Sequence, residues 1–144
     1  MIVAVLDINV LVSGFIGEDK PDSTPGELLR RWRAKAFTLV VSEHILAELA
    51  ETFFTGRLSP AEIAGALDSL RIDGVIQRIT ADVVGIASHA EDDVVIATAL
   101  SAQADYLVTG DKPLLERVTY RGTLLLSPRQ FLEGLYRDCV GGEA

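Results

Sequence analysis

Short apolar runs alternate along this chain with longer segments in which apolar residues recur at helical spacing. The first run, at 2–6, is almost uninterrupted until Asp7 follows it. A continuous apolar run of this length is typical of a strand that is buried on both faces of a parallel sheet. Parallel strands separated by helices are joined by right-handed crossovers. We therefore expect an α/β protein with three layers, α/β/α, around a central and mostly parallel sheet of about five strands.

The expected elements can be placed along the sequence. Strands are expected at 2–6, 37–41, 75–79, 106–109 and 123–126. Helices are expected from about 25 onward, at 43 to about 54, 60–72, 92 or 93 to 104, and 128–136. Ser42 is a suitable N-cap for the second helix, and SPAE at 59–62 is a capping box for the third. The first loop is expected to hold Asp7, Asn9 and Ser13.

The size and composition of the chain suit one domain. With 144 residues, of which 49% are apolar, the chain can fill a single core. We expect this domain at 1–138 and a frayed tail at 139–144. The beginning of the chain shows no basic leader, and no apolar stretch approaches membrane-spanning length, so we expect a soluble cytoplasmic protein with no membrane association. The lone Cys139 allows neither an intramolecular disulfide nor a thiolate zinc site.

A homodimer is expected from the same composition. The apolar fraction is high for a small chain, and Leu, Trp and Phe are abundant on the predicted helices at 25–35 and 43–54. Apolar helix faces beyond the needs of one core are typical of subunit interfaces.

The net charge restricts how the protein can bind nucleic acid. The chain carries 13 Lys and Arg against 21 Asp and Glu, a net charge of −8. Affinity for a phosphate backbone normally comes from basic residues, so the overall charge disfavours such binding. A metal-dependent nuclease can still be acidic, because its carboxylates hold cations that then contact the phosphate. The positions of the acids therefore matter more than their number.

Several acids lie where a site can form. Asp7 and Asp111 each come at the end of a predicted strand, and open α/β sheets bind ligands at the carboxyl ends of their strands. Asp92 or Asp93 opens a predicted helix, where the dipole favours a carboxylate. Glu48 lies on the predicted helix at 43 to about 54, next to the buried positions, where its side chain can face a cleft. Each acid alone has an ordinary explanation as a cap, a turn residue or a solvated side chain, but together they indicate a metal site.

The segments around these acids resemble the successive motifs of PIN domains. These segments are LDINVLVSG at 6–14, SEHILAELAE at 42–51, EDDVVIATAL at 91–100 and ADYLVTGDKPLL at 104–115. The similarity extends over residues 1 to about 127, and it is greatest to the toxins of bacterial and archaeal toxin–antitoxin pairs, related to VapC-type ribonucleases. The resemblance implies a PIN-like nuclease domain that hydrolyses RNA, with a protein antitoxin as its partner.

The resemblance also implies the roles of individual residues. The catalytic and metal-binding residues would be Asp7, Glu48, Asp92 and Asp111, supported through hydrogen bonds by Asn9, Ser13 and Thr109. Related toxins often begin the third motif with an Asp-Pro pair, whereas this chain has His89 and Ala90 there. The choice between Asp92 and Asp93 is therefore open. We favour Asp92 as the ligand, because it keeps the spacing to Thr98, with Asp93 as a supporting residue.

The types of ligand atom in the expected site predict which metal it binds. Oxygen ligands without cysteine suit Mg²⁺ or Mn²⁺, as one or two ions, better than zinc. Such an ion would bind the scissile phosphate, lower the pKa of a bound water and offset charge on the leaving 3′-oxygen, without a covalent enzyme intermediate. Both histidines, His44 and His89, are expected on the surface. A weakly predicted RNA track consists of Arg30, Arg31, Arg33 and Lys35, with Lys112 beside Asp111.

Three other functions are weighed against the nuclease. A haloacid-dehalogenase-like phosphatase would also have an Asp after its first strand, but it needs a second Asp where this chain has Asn9. A response-regulator receiver shares the Lys112-Pro113 pair but carries its acidic pair after the first strand. A PIN-fold interaction module without catalysis is disfavoured, because all four expected acids are present.

Overall fold

The computed structural model describes residues 1–52 and 56–141. The strands are β1 (Val3–Leu6), β2 (Thr38–Val41), β3 (Val75–Ile76), β4 (Tyr106–Val108), β5 (Thr119–Tyr120) and β6 (Thr123–Leu126). The helices are α1 (Ile8–Gly17), α2 (Thr24–Arg33), α3 (Glu43–Glu51), α4 (Pro60–Asp73), α5 (Ala90–Ser101), α6 (Lys112–Arg117) and α7 (Pro128–Gly141). In the described part of the chain, no helix combines the length and the apolar character that a membrane span requires.

The six strands form one sheet in the order β3-β2-β1-β4-β6-β5. Every neighbouring pair is parallel except β5 and β6, which are antiparallel. Consecutive residues of β1 are fully buried, as Ala4, Val5 and Leu6 show, because both faces of the sheet are covered. The predicted α/β fold with a mostly parallel central sheet is confirmed. The sheet has six strands rather than about five. The additional strand, β5, was not predicted because its two residues are too few to give a periodic signal.

The strand order reverses between β1 and β4. After β1 the chain moves outward to β2 and β3, whereas β4 is followed on its other side by β6. The two central strands pair in parallel with Leu6 opposite Val108, so they end at the same edge. A crevice forms outside the carboxyl ends of the strands at such a reversal. Asp7 and Thr109 are the residues that follow the two strands at this edge.

The chain passes directly from β1 into α1. The prediction of a loop holding Asn9 and Ser13 was wrong, because the helix begins at Ile8. Asp7 is its N-cap, and one carboxylate oxygen accepts the backbone N–H of Val10 at 2.9 Å. An Asp in this position satisfies one of the free N–H groups at the start of a helix. The same residue therefore ends the strand and starts the helix, which leaves no room for a loop.

Two predicted helix starts are confirmed. Ser42 caps α3 by accepting the N–H of Ile45 at 3.3 Å. Ser59 and Glu62 form the reciprocal capping box at the start of α4. The predicted end of α3 near residue 54 lies outside the described residues.

Other predicted boundaries need correction. The N-cap of α5 is His89, so Asp92 and Asp93 lie within the first turns of the helix rather than at its cap. This helix ends at Ser101, before the predicted 104. β3 is shorter than predicted, and α6 was not predicted because Asp111 was interpreted as part of a turn. Residues 142–144 of the predicted tail lie outside the described residues.

The Phe residues of the predicted helix at 43–54 lie outside the described residues, but the other apolar side chains that suggested a homodimer pack within one chain. They are Leu28, Leu29 and Trp32 of α2 and Ile45, Leu46 and Leu49 of α3, all buried in the core. The core of a single chain accounts for these residues, so they no longer support a subunit interface.

Glycines let α1 approach α2 closely. A Cβ atom added to Gly26 would overlap the carbonyl oxygen of Gly17, which is backbone and cannot rotate away. The end of α1 is also held by Arg30, whose guanidinium donates to the carbonyl of Glu18 at 2.5 Å. This contact fixes α1, the helix that begins at Asp7, against the rest of the fold.

Gly26→Ala should therefore destabilise the protein, because the backbones of α1 and α2 must separate to admit a methyl group. We expect the free energy of unfolding to fall by about 1–3 kcal/mol. Gly65, in the middle of α4, has open space around its Cα. Gly65→Ala should be neutral or should stabilise by up to about 1 kcal/mol, since Ala favours helices. Urea denaturation measures both changes, and equal effects at the two positions would contradict the close packing.

Candidate metal centre

Asp7 is held between the start of α1 and the end of β4. Its backbone N–H donates to the carbonyl of Val108 at 3.0 Å, which extends the pairing of the two central strands by one residue. Oδ1 accepts the N–H of Val10, and Oδ2 accepts the hydroxyl hydrogen of Thr109 at 2.5 Å. Both oxygens are thus oriented by groups from different elements.

Thr109 connects Asp7 to Asp111. The threonine is buried, and its Oγ1 also accepts the backbone N–H of Asp111 at 3.1 Å. A hydroxyl has one hydrogen and two lone pairs, so it can donate to one acid and accept from the other residue at the same time. This side chain therefore fixes the positions of the two acids that follow β1 and β4.

Asp111 has a buried oxygen without a partner. It comes after Gly110 and precedes α6, but its side chain does not cap that helix. Among the described residues, the Oδ2 atom of Asp111 is buried and receives no hydrogen bond. Burial of an unpaired carboxylate oxygen is unfavourable unless a donor or a cation satisfies it. The atom is therefore suited to a cation ligand.

Burial raises the pKa of the Asp7 carboxyl above its ordinary value. Hydrogen bonds from Thr109, Val10 and Gly110 favour the ionised form and oppose this shift, whereas the charge of Asp111 adds to it. The balance of these effects is a raised pKa. A cation beside Asp7 would instead favour the ionised form of this carboxyl.

Glu48 lies on α3, which begins where β2 ends. Its side chain is only 18% exposed, and Oε1 contacts Nε2 of His44 one turn earlier. The side chain of His44 is 34% exposed, but its Nε2 atom is buried against Glu48. The spacing of four residues on a helix was the signal that the sequence offered. His89, by contrast, is exposed as predicted.

Asp93 anchors the connection that precedes α5. Its two carboxylate oxygens accept the N–H groups of Gly85, Ile86 and Ala87 at 2.9, 3.1 and 2.7 Å. The residue is only 5% exposed, so these bonds compensate for a buried charge. Three donors use most of the lone pairs that this carboxylate could offer to a cation. Asp92 is its neighbour in the same turn and is partly exposed.

Helix α5 brings this turn to the edge of the sheet where Asp7 and Asp111 lie. It packs on β1, β2 and β4, and it precedes β4. A crossover helix runs antiparallel to the strands that it connects, so its first turn lies at their carboxyl ends. Asp7 and Asp111 are thus joined through Thr109, while Glu48 and Asp92 lie on neighbouring helices. In the part of the chain that the structure describes, no three His, Cys, Asp or Glu side chains are already close enough to hold a metal ion.

Comparison with known protein families shows to which family the chain belongs. The PIN domain family matches residues 3–113, which is more than half of the chain and includes all four predicted acids. The chain belongs to the PIN domain family. This membership leaves no support for the phosphatase and receiver alternatives. No curated protein matches the sequence.

Two solved structures share the fold of this PIN domain. One is a chain of the crystal structure of VapBC2 from Rickettsia felis bound to a DNA fragment from their promoter, with a TM-score of 0.58 and 19% identity, covering 88% of this chain and 98% of that chain. The other is a domain of a functionally unknown protein from Methanocaldococcus jannaschii DSM 2661, with a TM-score of 0.56 and 17% identity, covering 88% of this chain and 91% of that chain. At these identities the likeness is one of fold.

Two predicted supporting residues lie on α1 of the PIN domain. Asn9 is exposed, and Ser13 accepts a hydrogen bond from the Arg57 guanidinium at 3.3 Å. The bonds of the described residues do not join Asn9 or Ser13 to the acids. Arg57 was not singled out by the sequence, because an isolated Arg in the segment GRLS carries no pattern.

The predicted RNA track on α2 is occupied by ion pairs. Arg30 and Arg31 both pair with Glu27, at 2.7 and 2.9 Å, and Arg33 pairs with Glu18 at the end of α1. Arg30 and Arg33 therefore hold α2 against the end of α1, whereas Arg31 is paired within α2.

The raised pKa of Asp7 predicts how the stability of the metal-free PIN domain depends on pH. The folded state keeps the Asp7 proton to a higher pH than the unfolded chain, so folding loses stability as the pH rises above the unfolded pKa of 3.8. The loss is complete once the pH exceeds the raised folded pKa. Asp7→Asn removes this titration and keeps an oxygen that can cap α1. In EDTA at neutral pH the variant should melt at a higher temperature than the parent, with the gap closing below pH 3.8.

The exposed Asp68 on α4 provides the control for this comparison. Asp68→Asn should leave the shape of the melting curve against pH unchanged. A difference between Asp7→Asn and the parent that is constant from acid to neutral pH would contradict the raised pKa.

The bonds of Asp93 predict different roles for two adjacent acids. Asp93→Asn cannot accept three N–H groups on one amide oxygen, and it should lower the free energy of unfolding by about 1.5–3 kcal/mol. Asp92→Asn should cost less stability, because Asp92 does not anchor the connection at 85–87. Chemical denaturation of both variants measures the difference. A larger loss of stability in Asp92→Asn would show that the anchor has been assigned to the wrong residue.

Proposed function

We propose that this PIN domain is a divalent-metal-dependent endoribonuclease that hydrolyses RNA phosphodiester bonds, and that it is the toxin of a toxin–antitoxin pair. The observation that carries the proposal is the buried oxygen of Asp111, which the described residues leave without a hydrogen bond, beside the Asp7 carboxyl, whose pKa is raised. Both lie where the strand order reverses, the position at which open parallel sheets bind ligands. Membership of the PIN domain family supports hydrolysis of phosphodiester bonds at this position.

The donor set fits Mg²⁺ or Mn²⁺, as one or two ions. Asp7 and Asp111 would hold the ion, with Glu48 and Asp92 completing the carboxylate ligands, and hard oxygen donors are the ones these cations prefer. When bound, such an ion orients the scissile phosphate, activates water and offsets charge on the leaving oxygen. The bonds of Asp93 to the backbone at 85–87 favour Asp92 as the ligand of the pair.

The protein orients its ligands before the ion binds. Thr109 donates to one oxygen of Asp7, and the first turn of α1 holds the other. The same hydroxyl fixes the backbone of Asp111. Groups that are already oriented need no reorganisation during the reaction, which is the main source of electrostatic catalysis.

RNA would be held mainly through the metal. The arginines of α2 are paired with Glu27 and Glu18, and the chain has a net charge of −8. A protein that uses few free cations for phosphate contacts releases few counterions on binding. We therefore expect the affinity for RNA to depend weakly on salt concentration and strongly on divalent metal.

The fold likeness to a chain of VapBC2 supports a protein antitoxin as partner and action in the cytoplasm. A homodimer stays a prediction, and light scattering of the purified protein measures it. The Leu and Trp residues that suggested it are buried in the core of one chain.

Cleavage of a single-stranded RNA in the presence of Mn²⁺ tests the proposal. The parent protein should cut the RNA internally, and EDTA should stop the reaction. Asp111→Asn should lower the rate by at least about 100-fold, because it removes a charged ligand next to the scissile phosphate.

Asp105→Asn is the matched control. Asp105 also bonds to the central strands, accepting the N–H of Val3 at 2.8 Å, but it lies before β4 at the opposite edge of the sheet. This variant should keep the activity of the parent. Full activity of Asp111→Asn, or cleavage that survives EDTA, would contradict the mechanism. Binding of Mn²⁺ without cleavage of any RNA would instead support an interaction module.

A further inference from the structure

A buried hydrogen bond joins the helix that carries Glu48 to the helix that carries Asp92. Ser42, the N-cap of α3, and Thr98, in the middle of α5, have their hydroxyl oxygens 2.9 Å apart. Ser42 is 1% exposed and Thr98 is fully buried. Bonds between two side chains are the least common class of hydrogen bond in proteins, so a buried one between separate helices requires explanation.

The local bonds of the two hydroxyls determine the direction of the link. The oxygen of Ser42 already accepts the N–H of Ile45, and the oxygen of Thr98 lies 2.9 Å from the carbonyl of Val94 in its own helix. Each hydroxyl has one hydrogen. All the groups are satisfied when Thr98 donates to Val94 and Ser42 donates to Thr98. Loss of either hydroxyl leaves the other with a local bond but breaks the connection between α3 and α5.

Along the chain, the link lies equally far from Glu48 and from Asp92. Glu48 comes six residues after Ser42, and Asp92 comes six residues before Thr98. Six residues of helix span about 9 Å, so each acid is within two turns of the link. The bond therefore fixes one helix relative to the other at a short distance from both carboxylates. Helix α5 packs mainly on the strands β1, β2 and β4, so this bond adds a direct polar tie between it and the start of α3.

We propose that Ser42 and Thr98 are positioning residues that set the separation of Glu48 and Asp92 for metal binding. This inference rests on the proposed function, because it assumes that both acids are ligands. Removal of hydrogen bonds that orient metal ligands commonly lowers metal affinity by about 10–100-fold. The lower end of this range is expected here, because the two hydroxyls act through the backbones of their helices.

Three variants distinguish the effect of the Thr98 hydroxyl from the effect of the side-chain volume. Thr98→Val keeps the volume of the side chain and removes the bond, and it should weaken Mn²⁺ binding about tenfold or more. Thr98→Ser keeps the bond and should retain the affinity of the parent. Thr123→Val is the matched control, because Thr123 is also buried and donates to the carbonyl of Ala104, at the opposite edge of the sheet. This variant should lose stability without losing Mn²⁺ affinity.

Isothermal titration calorimetry with Mn²⁺ alone, together with melting in EDTA, gives the readouts. If Thr98→Val does not fold, Ser42→Ala breaks the same bond from the other helix. Unchanged Mn²⁺ affinity in the folded variant, or an equal loss in Thr123→Val, would overturn the positioning role while the metal site stands. Absence of Mn²⁺ binding by the parent would instead remove the metal site itself, and with it both proposals.

Discussion

The parallel pairing of β1 with β4 is the contact on which the candidate site depends. Because both strands run in the same direction in the middle of the sheet, their carboxyl ends reach the same edge, and the reversal of strand order opens a crevice there. Asp7 and Thr109 then follow directly. A shift of the pairing by one residue would turn these side chains towards the opposite face, since side chains alternate along a strand. The register that fills the core is thus the register that places the site.

The acids of the site combine structural and chemical roles. Asp7 caps α1, yet its burial raises its pKa, and the neighbouring Asp111 contains a buried oxygen that the described residues leave unsatisfied. Proteins tolerate such unfavourable features at functional sites because the rest of the fold compensates for them. Asp93 shows the contrast, since both of its carboxylate oxygens accept N–H groups of the backbone segment at 85–87. Local hydrogen bonding therefore separates acids that stabilise the fold from acids that are available to a ligand.

The sequence predicts most of the sheet, because continuous apolar runs identify the buried strands without knowledge of the tertiary structure. It fails at α1, where Asp7 serves as a cap in a segment interpreted as a loop. It also leaves Asp92 and Asp93 unresolved, because adjacent helical residues point about 100° apart and only the packing of 85–87 decides between them. The link from Ser42 to Thr98 joins residues far apart in the chain, and no local pattern reports such a contact.

Diffraction from crystals of the protein grown with Mn²⁺, measured at a wavelength where manganese scatters anomalously, tests the central claim most directly. The account predicts an anomalous peak in contact with the carboxylate oxygens of Asp7 and Asp111, with the buried Oδ2 of Asp111 as a ligand. The hydroxyl of Thr109 should still donate to Asp7. Crystals saturated with Mn²⁺ that show no ion between Asp7 and Asp111 would contradict it.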